Sequence, residues 1–179
     1  MSCIEHISLM ANYNSWMNAK LYSAAGQLAT EELLADRGAF FGSILGTLNH
    51  IVVADTIWLK RFAAHPGQHF ALEPIRQLPA PVSLDQLLCT DISSLAERRY
   101  WLDAIITTWT QSLTETDLDH ILPYTNTKGI PADKVFFSLL MHFFNHQTHH
   151  RGQATTLLFQ LGIDVGVTDL LALIPNQVA

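Results

Sequence analysis

The sequence predicts an all-α protein, a four-helix bundle with a short additional C-terminal helix. Three observations carry this. Apolar residues recur at helical spacing over four long stretches, helix start and stop signals flank them, and prolines gather between them. At 179 residues the chain has the length of one domain with a single sizeable core, so one domain over residues 1–179 is expected.

The first helix opens at Ser2, which with Glu5 makes a capping box. It carries Ile4, Ile7, Ala11, Met17, Leu21 and Ala25 to about Leu28, with Leu9, Tyr13 and Trp16 widening the stripe. The second begins near Gly42 or Ser43, carries Ile44, Leu45, Leu48, Ile51, Val52 and Trp58, and breaks at His65-Pro66-Gly67. Four prolines between residues 66 and 82 mark a surface loop. Ser83 with Gln86 reads as a capping box for the third helix, which runs through Leu95, Leu102, Ile106 and Trp109 to about Leu113. The stretch DLDHILPYTNTKGIP, residues 117–131, mixes apolar residues with turn formers and suits a short extended excursion or irregular hairpin. Pro131 then suits the first turn of a fourth helix, Ala132 to Leu161, with Gly162 as its C-terminal cap. The tail from Thr168 can form one or two further turns before Pro175.

Composition narrows the function. Charged residues are 15% of the chain, below the roughly 25% of an average soluble protein, which suggests a partner subunit. Ten Lys and Arg against sixteen Asp and Glu give a formal charge of −6, and no basic run could track phosphates, so nucleic acid is not an expected partner. The N-terminus has Glu5 and His6 where a secretory signal would be basic and then apolar, and Asn49, His50 and Asp55 interrupt the most membrane-like stretch. A cytoplasmic protein with no membrane span is expected. Cys3 and Cys89 are too far apart for a paired-cysteine metal motif and read as ordinary buried or partly buried thiols.

The densest chemical signal is HFFNHQTHHRGQ, residues 142–153. On a helix His146 and His150 lie one above the other and can direct two imidazoles at one ion, whereas His149 points about 100° away from His150. The same pair would also suit a solvated helix face. Two imidazoles leave a divalent ion short of ligands, and His50, in the middle of an apolar helix, is the candidate third ligand; a core histidine bonded to a backbone or side-chain group is the alternative. Zinc proteases with HxxxH carry a glutamate after the first histidine, and here that residue is Gln147, a poor base.

Three segments, YNSWMNAKLY at 13–22, LNHIVVADTIWLKRF at 48–62 and HFFNHQTHHRGQATTLLFQLG at 142–162, resemble the DinB family of bacterial helical bundles. In that family a histidine of the second helix and an i, i+4 pair of the last helix ligate a metal, and the resemblance places those roles on His50, His146 and His150. It also implies a homodimer. The ion would be nickel or zinc, because imidazole suits both. The family's name records damage-inducible expression, so a stress-response role is implied and a reaction is not. Related bundles that use low-molecular-weight thiols suggest an ion that activates a thiol or water for transfer to a small electrophile, acting on a small-molecule substrate. A non-catalytic metal protein and a metal-free interaction module are the alternatives. No general base is identifiable.

Other residues have two readings each. Asp55 orients a ligand imidazole or forms a surface salt bridge, and Gln153 faces the cavity or makes an interhelical hydrogen bond. Arg151 is an exposed cation or binds an acidic group of the thiol or substrate. Tyr13, Trp16, Trp58 and Trp109 read as core, Trp58 being the best candidate for a pocket wall. His142 and His149 are supporting groups or surface residues, and His6, His65, His69 and His120 read as solvated.

Overall fold

A computed structural model describes residues 2–176, so residues 1 and 177–179 of the expected domain lie outside the described residues. The protein is mostly helical, with one small hairpin. The first helix, α1 (Cys3–Ala25), starts on the expected capping box: Ser2 Oγ accepts from Glu5 N at 3.2 Å, and the Glu5 carboxylate accepts from Ser2 N at 2.6 Å. It stops three residues before Leu28. A five-residue helix, α2 (Thr30–Leu34), follows that the periodicity did not reveal, because at one turn it offers no stripe to read.

Helix α3 (Ile44–Phe62) begins where expected, with Ser43 Oγ accepting from Gly46 N at 2.9 Å. Fifteen of its nineteen residues are buried, so it runs through the interior, and its polar residues must be satisfied by protein groups. The proline-rich stretch is more regular than a loop: a single 3₁₀ turn (Phe70–Leu72) leads into α4 (Glu73–Gln77), where Pro74 occupies the first turn that its fixed φ favours.

The third long helix, α5 (Ile92–Gln111), starts eight residues later than the Ser83 box predicts, capped instead by Asp91, which accepts from Ser94 N at 2.8 Å. The cause lies on α3. Asn49 Oδ1 accepts from Leu88 N (2.8 Å) and Cys89 N (3.1 Å), and its amide donates to Cys89 O (3.0 Å). Gln86 meanwhile accepts from Val82 N at 2.8 Å. These bonds hold the backbone against α3 in an irregular path of turns and bends, with no helix between Ser83 and Ile92.

A four-residue helix, α6 (Glu115–Leu118), precedes the hairpin, whose antiparallel strands β1 (Ile121–Thr125) and β2 (Pro131–Val135) pair Ile121 with Val135 and Thr125 with Pro131. Asn126 Oδ1 closes its turn on Lys128 N and Ile130 N, and Gly129 takes φ +77°. Pro131 therefore opens a strand, not a helix, and α7 (Phe136–Phe159) starts four residues beyond the expected Ala132. At its far end Gly162, at φ +76°, donates to Phe159 O (3.0 Å) while Ile163 N reaches Leu158 O (3.1 Å), the paired closure a left-handed glycine permits. The tail makes a 3₁₀ turn (Leu170–Leu173), and Tyr13 Oη ties it to α1 through Thr168 O at 2.6 Å.

Helix α1 packs on α5 and α7, and α3 packs on α7 and α5. Phe62, Trp109, Phe136 and Phe143 form an aromatic cluster inside, with Phe62 ring centroids 5.4 to 5.6 Å from the other three. Among the described residues no helix is long and apolar enough to cross a membrane. Cys3 is exposed, against expectation, and Cys89 is half-buried.

Candidate metal centre

The packing of α3 on α7 brings His50 opposite His146 and His150. His50 Nε2 lies 3.4 Å from His146 Nε2 and 3.2 Å from His150 Nε2, and one ligand atom from each residue lies within 4.8 Å of the other two. For metal–nitrogen bonds of about 2.0–2.1 Å, donors at tetrahedral angles stand about 3.3 Å apart. The observed spacings fit that edge.

The far side of two rings fixes where their protons sit. His50 Nδ1 donates to the Leu84 carbonyl at 2.8 Å, and His150 Nδ1 donates to Gln153 Oε1 at 2.7 Å. A neutral imidazole has one N–H, so both Nε2 atoms present lone pairs to the centre. Carbonyl acceptors behind the ring are the usual support of ligating histidines. Burial, with a smaller repulsion from His150, lowers the pKa of His50 to about 4. Burial and the neighbouring imidazoles lower His146 to about 3, and burial also lowers His150. The three rings are thus neutral near pH 7, and at least the Nε2 lone pairs of His50 and His150 converge on the centre, where a cation could take them together with His146 Nε2.

Leu84 can serve His50 because it lies in a turn of the irregular stretch pinned by Asn49, a residue next to His50 to which sequence reasoning gave no role in the site; an Asn inside an apolar helix was the available signal. Phe41 was missed as well. Its ring lies flat on His50, centroids 3.7 Å apart at 16°, and edge-on to His150 at 5.6 Å. Gly46 permits this, since a Cβ there would come 2.2 Å from the Phe41 carbonyl oxygen.

Gln153 does not bond across helices. Its carbonyl holds His150 three residues back, and its amide donates to His149 Nε2 at 3.3 Å, so His149 supports the clamp from the exposed side. Asp55 is neither at the surface nor on an imidazole. It is 1% exposed, ion-paired with Arg99 and bonded by Gln147 Nε2 at 2.8 Å. Arg99 also meets Asp103 at 2.9 Å, and Asn14 and Asn18 each donate to Asp103 at 3.0 Å. Burial alone would lower Arg99, but the carboxylates of Asp103 and Asp55 outweigh it and raise its pKa. Arg151 is no free cation: it is 2% exposed, bonded to Asn14 and Thr148, with its guanidinium over Tyr13. Gln147 turns towards Asp55, away from the place a protease base would take.

Beside His50 and His146 opens a cavity of about 220 Å³, lined also by Trp58, Arg61, Tyr124 and His142. Trp58 forms one wall, with Tyr124 5.4 Å and His142 5.0 Å away between centroids. Trp109 is fully buried, Tyr13 is buried, and Trp16 is half-buried. Arg61 stacks over Trp58 (4.6 Å) and Tyr124 (5.0 Å) and donates to Thr125 O at 3.0 Å. Among the described residues no carboxylate pairs with it, and partial burial lowers its pKa. His65 and His69, expected in solvent, are 4% and 7% exposed, and His6 and His120 are half-buried.

A helical protein whose packed helices bring three imidazoles together, two of them with the outer N–H held by a carbonyl, has a donor set that could hold a metal ion. The chain belongs to the DinB family, whose model matches residues 1–177. Protein DinB of Bacillus subtilis (strain 168) is 26% identical over 159 residues, covering 88% of this chain and 87% of that protein. Among solved structures none gave a significant match.

Proposed function

We propose that the four long helices form a DinB-type bundle, one domain across residues 1–179, that holds one nickel or zinc ion on His50, His146 and His150 and uses it to activate a small thiol, or water, towards a small electrophile. The observation that carries this reading is the convergence of the three Nε2 atoms, with the Nδ1–H of His50 and of His150 tied to carbonyls. When bound, the ion supplies a Lewis acid that lowers the pKa of a thiol or water.

The remaining chemistry falls to the chain. Trp58 and Tyr124 give the cavity apolar walls that hold a small organic molecule, and Phe41 shields the His50 ring from water on the opposite side. Arg61, unpaired and partly desolvated, selects an anionic group on the thiol or its partner, the part assigned to Arg151 from sequence. His142, on the cavity wall with its pKa lowered by burial, is neutral at pH 7 and accepts the proton the thiol or water releases. No fourth protein donor joins the three histidines among the described residues, which favours an open catalytic position over a closed structural site. The low charged fraction supports a homodimer, the family's name, which records damage-inducible expression, supports a stress-related role, and the acidic, interrupted N-terminal stretch supports a cytoplasmic location.

The test is to load metal-free protein with nickel or zinc and supply mercaptosuccinate, a small thiol with carboxylates, and chlorodinitrobenzene. We expect metal-dependent conjugation that is lost in His146→Ala and has a raised KM for the thiol in Arg61→Met at unchanged metal content. Metal-loaded protein no faster than metal buffer alone, with thiols and in ester hydrolysis, would overturn the enzyme reading.

A further inference from the structure

Beyond the carboxyl end of α3 lies a second group of potential ligands that the proposed reaction does not use. The sequence His65-Pro66-Gly67-Gln68-His69 doubles back on itself, with Gln68 in the left-handed region at φ +45°, and stacks the two imidazoles with centroids 5.1 Å apart. Asp117, from α6, faces them. One donor atom each from His65, His69 and Asp117 lies within 4.8 Å of the other two. In a reading as surface histidines these side chains would be in water, yet His65 and His69 are over nine-tenths buried and Asp117 is 17% exposed by its side chain.

The polar contacts leave a gap in this group. Asp117 Oδ2 is taken by Thr114, accepting from its N at 2.8 Å and its Oγ1 at 2.7 Å. Asp117 Oδ1 is left facing His65 Nδ1 at 4.0 Å. His65 donates its Nε2–H to the Asp117 main-chain carbonyl at 3.2 Å, and its Nδ1 lone pair, on the carboxylate side, accepts from the Gly67 N–H at 3.0 Å, a bond that an ion on Nδ1 would replace. His69 Nε2 is buried with no hydrogen-bond partner among the described residues. Burying an imidazole nitrogen unpaired is costly, and a cation is one way to satisfy it.

Gly67 lines the space between the three groups. A Cβ there would stand 3.0 Å from Asp117 Oδ1, 3.0 Å from His65 Nδ1 and 3.1 Å from His69 Cε1. Its φ is not in the left-handed region, so glycine is required here for room, not for conformation. A side chain at this position would crowd one donor atom each of Asp117 and His65 and the edge of the His69 ring.

We infer that His65, His69 and Asp117 form a second divalent-metal site, best suited to zinc, that ties the end of α3 to α6 just ahead of the hairpin. Two imidazoles and a carboxylate are a donor set zinc accepts, and His65 lies fifteen residues from His50 along the chain, roughly 20 Å away at the helical rise. The donors stand wider than the 3.2–3.4 Å of the first centre, so they must close on the ion, and the second site binds more weakly than the first. Its role is structural, because it joins two segments and carries no partner of the catalytic cavity.

The test titrates metal-free, full-length protein with zinc against a chromophoric chelator, and follows the thermal midpoint at each equivalent. We expect two zinc ions per chain in the wild type, the tight one lost in His146→Ala and the weak one lost in His69→Ala. Gly67→Ala, which keeps every ligand and fills the space between them, should also lose the weak one, with unchanged circular dichroism guarding against misfolding. The second equivalent should raise the midpoint in wild type and in His146→Ala but not in His69→Ala, so this site is read independently of the first. A single zinc in the wild type that His146→Ala abolishes would overturn the inference, as would a weak zinc that survives both His69→Ala and Gly67→Ala.

Discussion

Removing the Asp55 carboxylate should destabilise the fold and leave the metal centre intact. In Asp55→Ala, Arg99 loses one of its two carboxylate partners at a point where both side chains are 1% exposed or less. Breaking a buried pair typically costs about 3–5 kcal/mol. Arg99 keeps Asp103 at 2.9 Å, so the lower end of about 3 applies, and the orphaned Gln147 amide adds about 1. At about 2–4 °C per kcal/mol for a chain of this size, the melting midpoint should fall by roughly 8–16 °C. Asp55→Asn, which keeps acceptors but no charge, should fall less. The assay is a thermal melt by circular dichroism, paired with metal content of the folded protein. A shift of under about 2 °C would refute the energetic reasoning, and a stable fold that has lost its metal would show that Asp55 acts on an imidazole after all.

Gln153→Ala removes the acceptor behind His150 and should weaken zinc binding about 10–100-fold with the helix content unchanged, measured by chelator competition; an effect under twofold would detach Gln153 from the site. The lowered pKa values of His50 and His146 set the pH response. With folded values of about 4 and about 3 against 6.5 for a free imidazole, protons compete with the ion only well below pH 6. Zinc affinity should therefore change by less than about threefold through these two rings between pH 7 and 5.5, whereas two ordinary histidines would cost about a hundredfold. The fold without metal should follow the same sign: the unfolded chain takes up protons below 6.5, so the stability these rings contribute is present above that pH and lost as it falls through about 4.

Local chemistry was legible in the sequence where it is settled within one or two turns. The Ser2–Glu5 box, the Ser43 start of α3, the left-handed Gly162 and the His146–His150 stacking each depend on residues three or four apart. What failed depends on partners distant in sequence. Ser83 and Gln86 carry a valid helix signal, yet Asn49 spends the nearby backbone on α3, and that detour supplies the carbonyl behind His50. Arg151 and Asp55 look like surface charges until the other helices bring Asn14 and Arg99 to them. His65 and His69 looked solvated beside Pro66 and Gly67, since nothing in that pentapeptide shows that Asp117 arrives from fifty residues on. The candidate triad was accessible because two members share a helix face and the third interrupts an apolar one; Gln153 was also visible on that stripe, though not its bond to His150, whereas Phe41 gave no spacing signal.

The central claim is one ion on His50, His146 and His150. The most direct measurement is elemental analysis of purified, tag-free protein, wild type beside His146→Ala and His50→Ala, after equilibration with limiting zinc or nickel. The account predicts about one tightly held ion per chain in the wild type and its loss in both variants, with helix content preserved. Equal metal in all three, or none in a well-folded wild type, would contradict it.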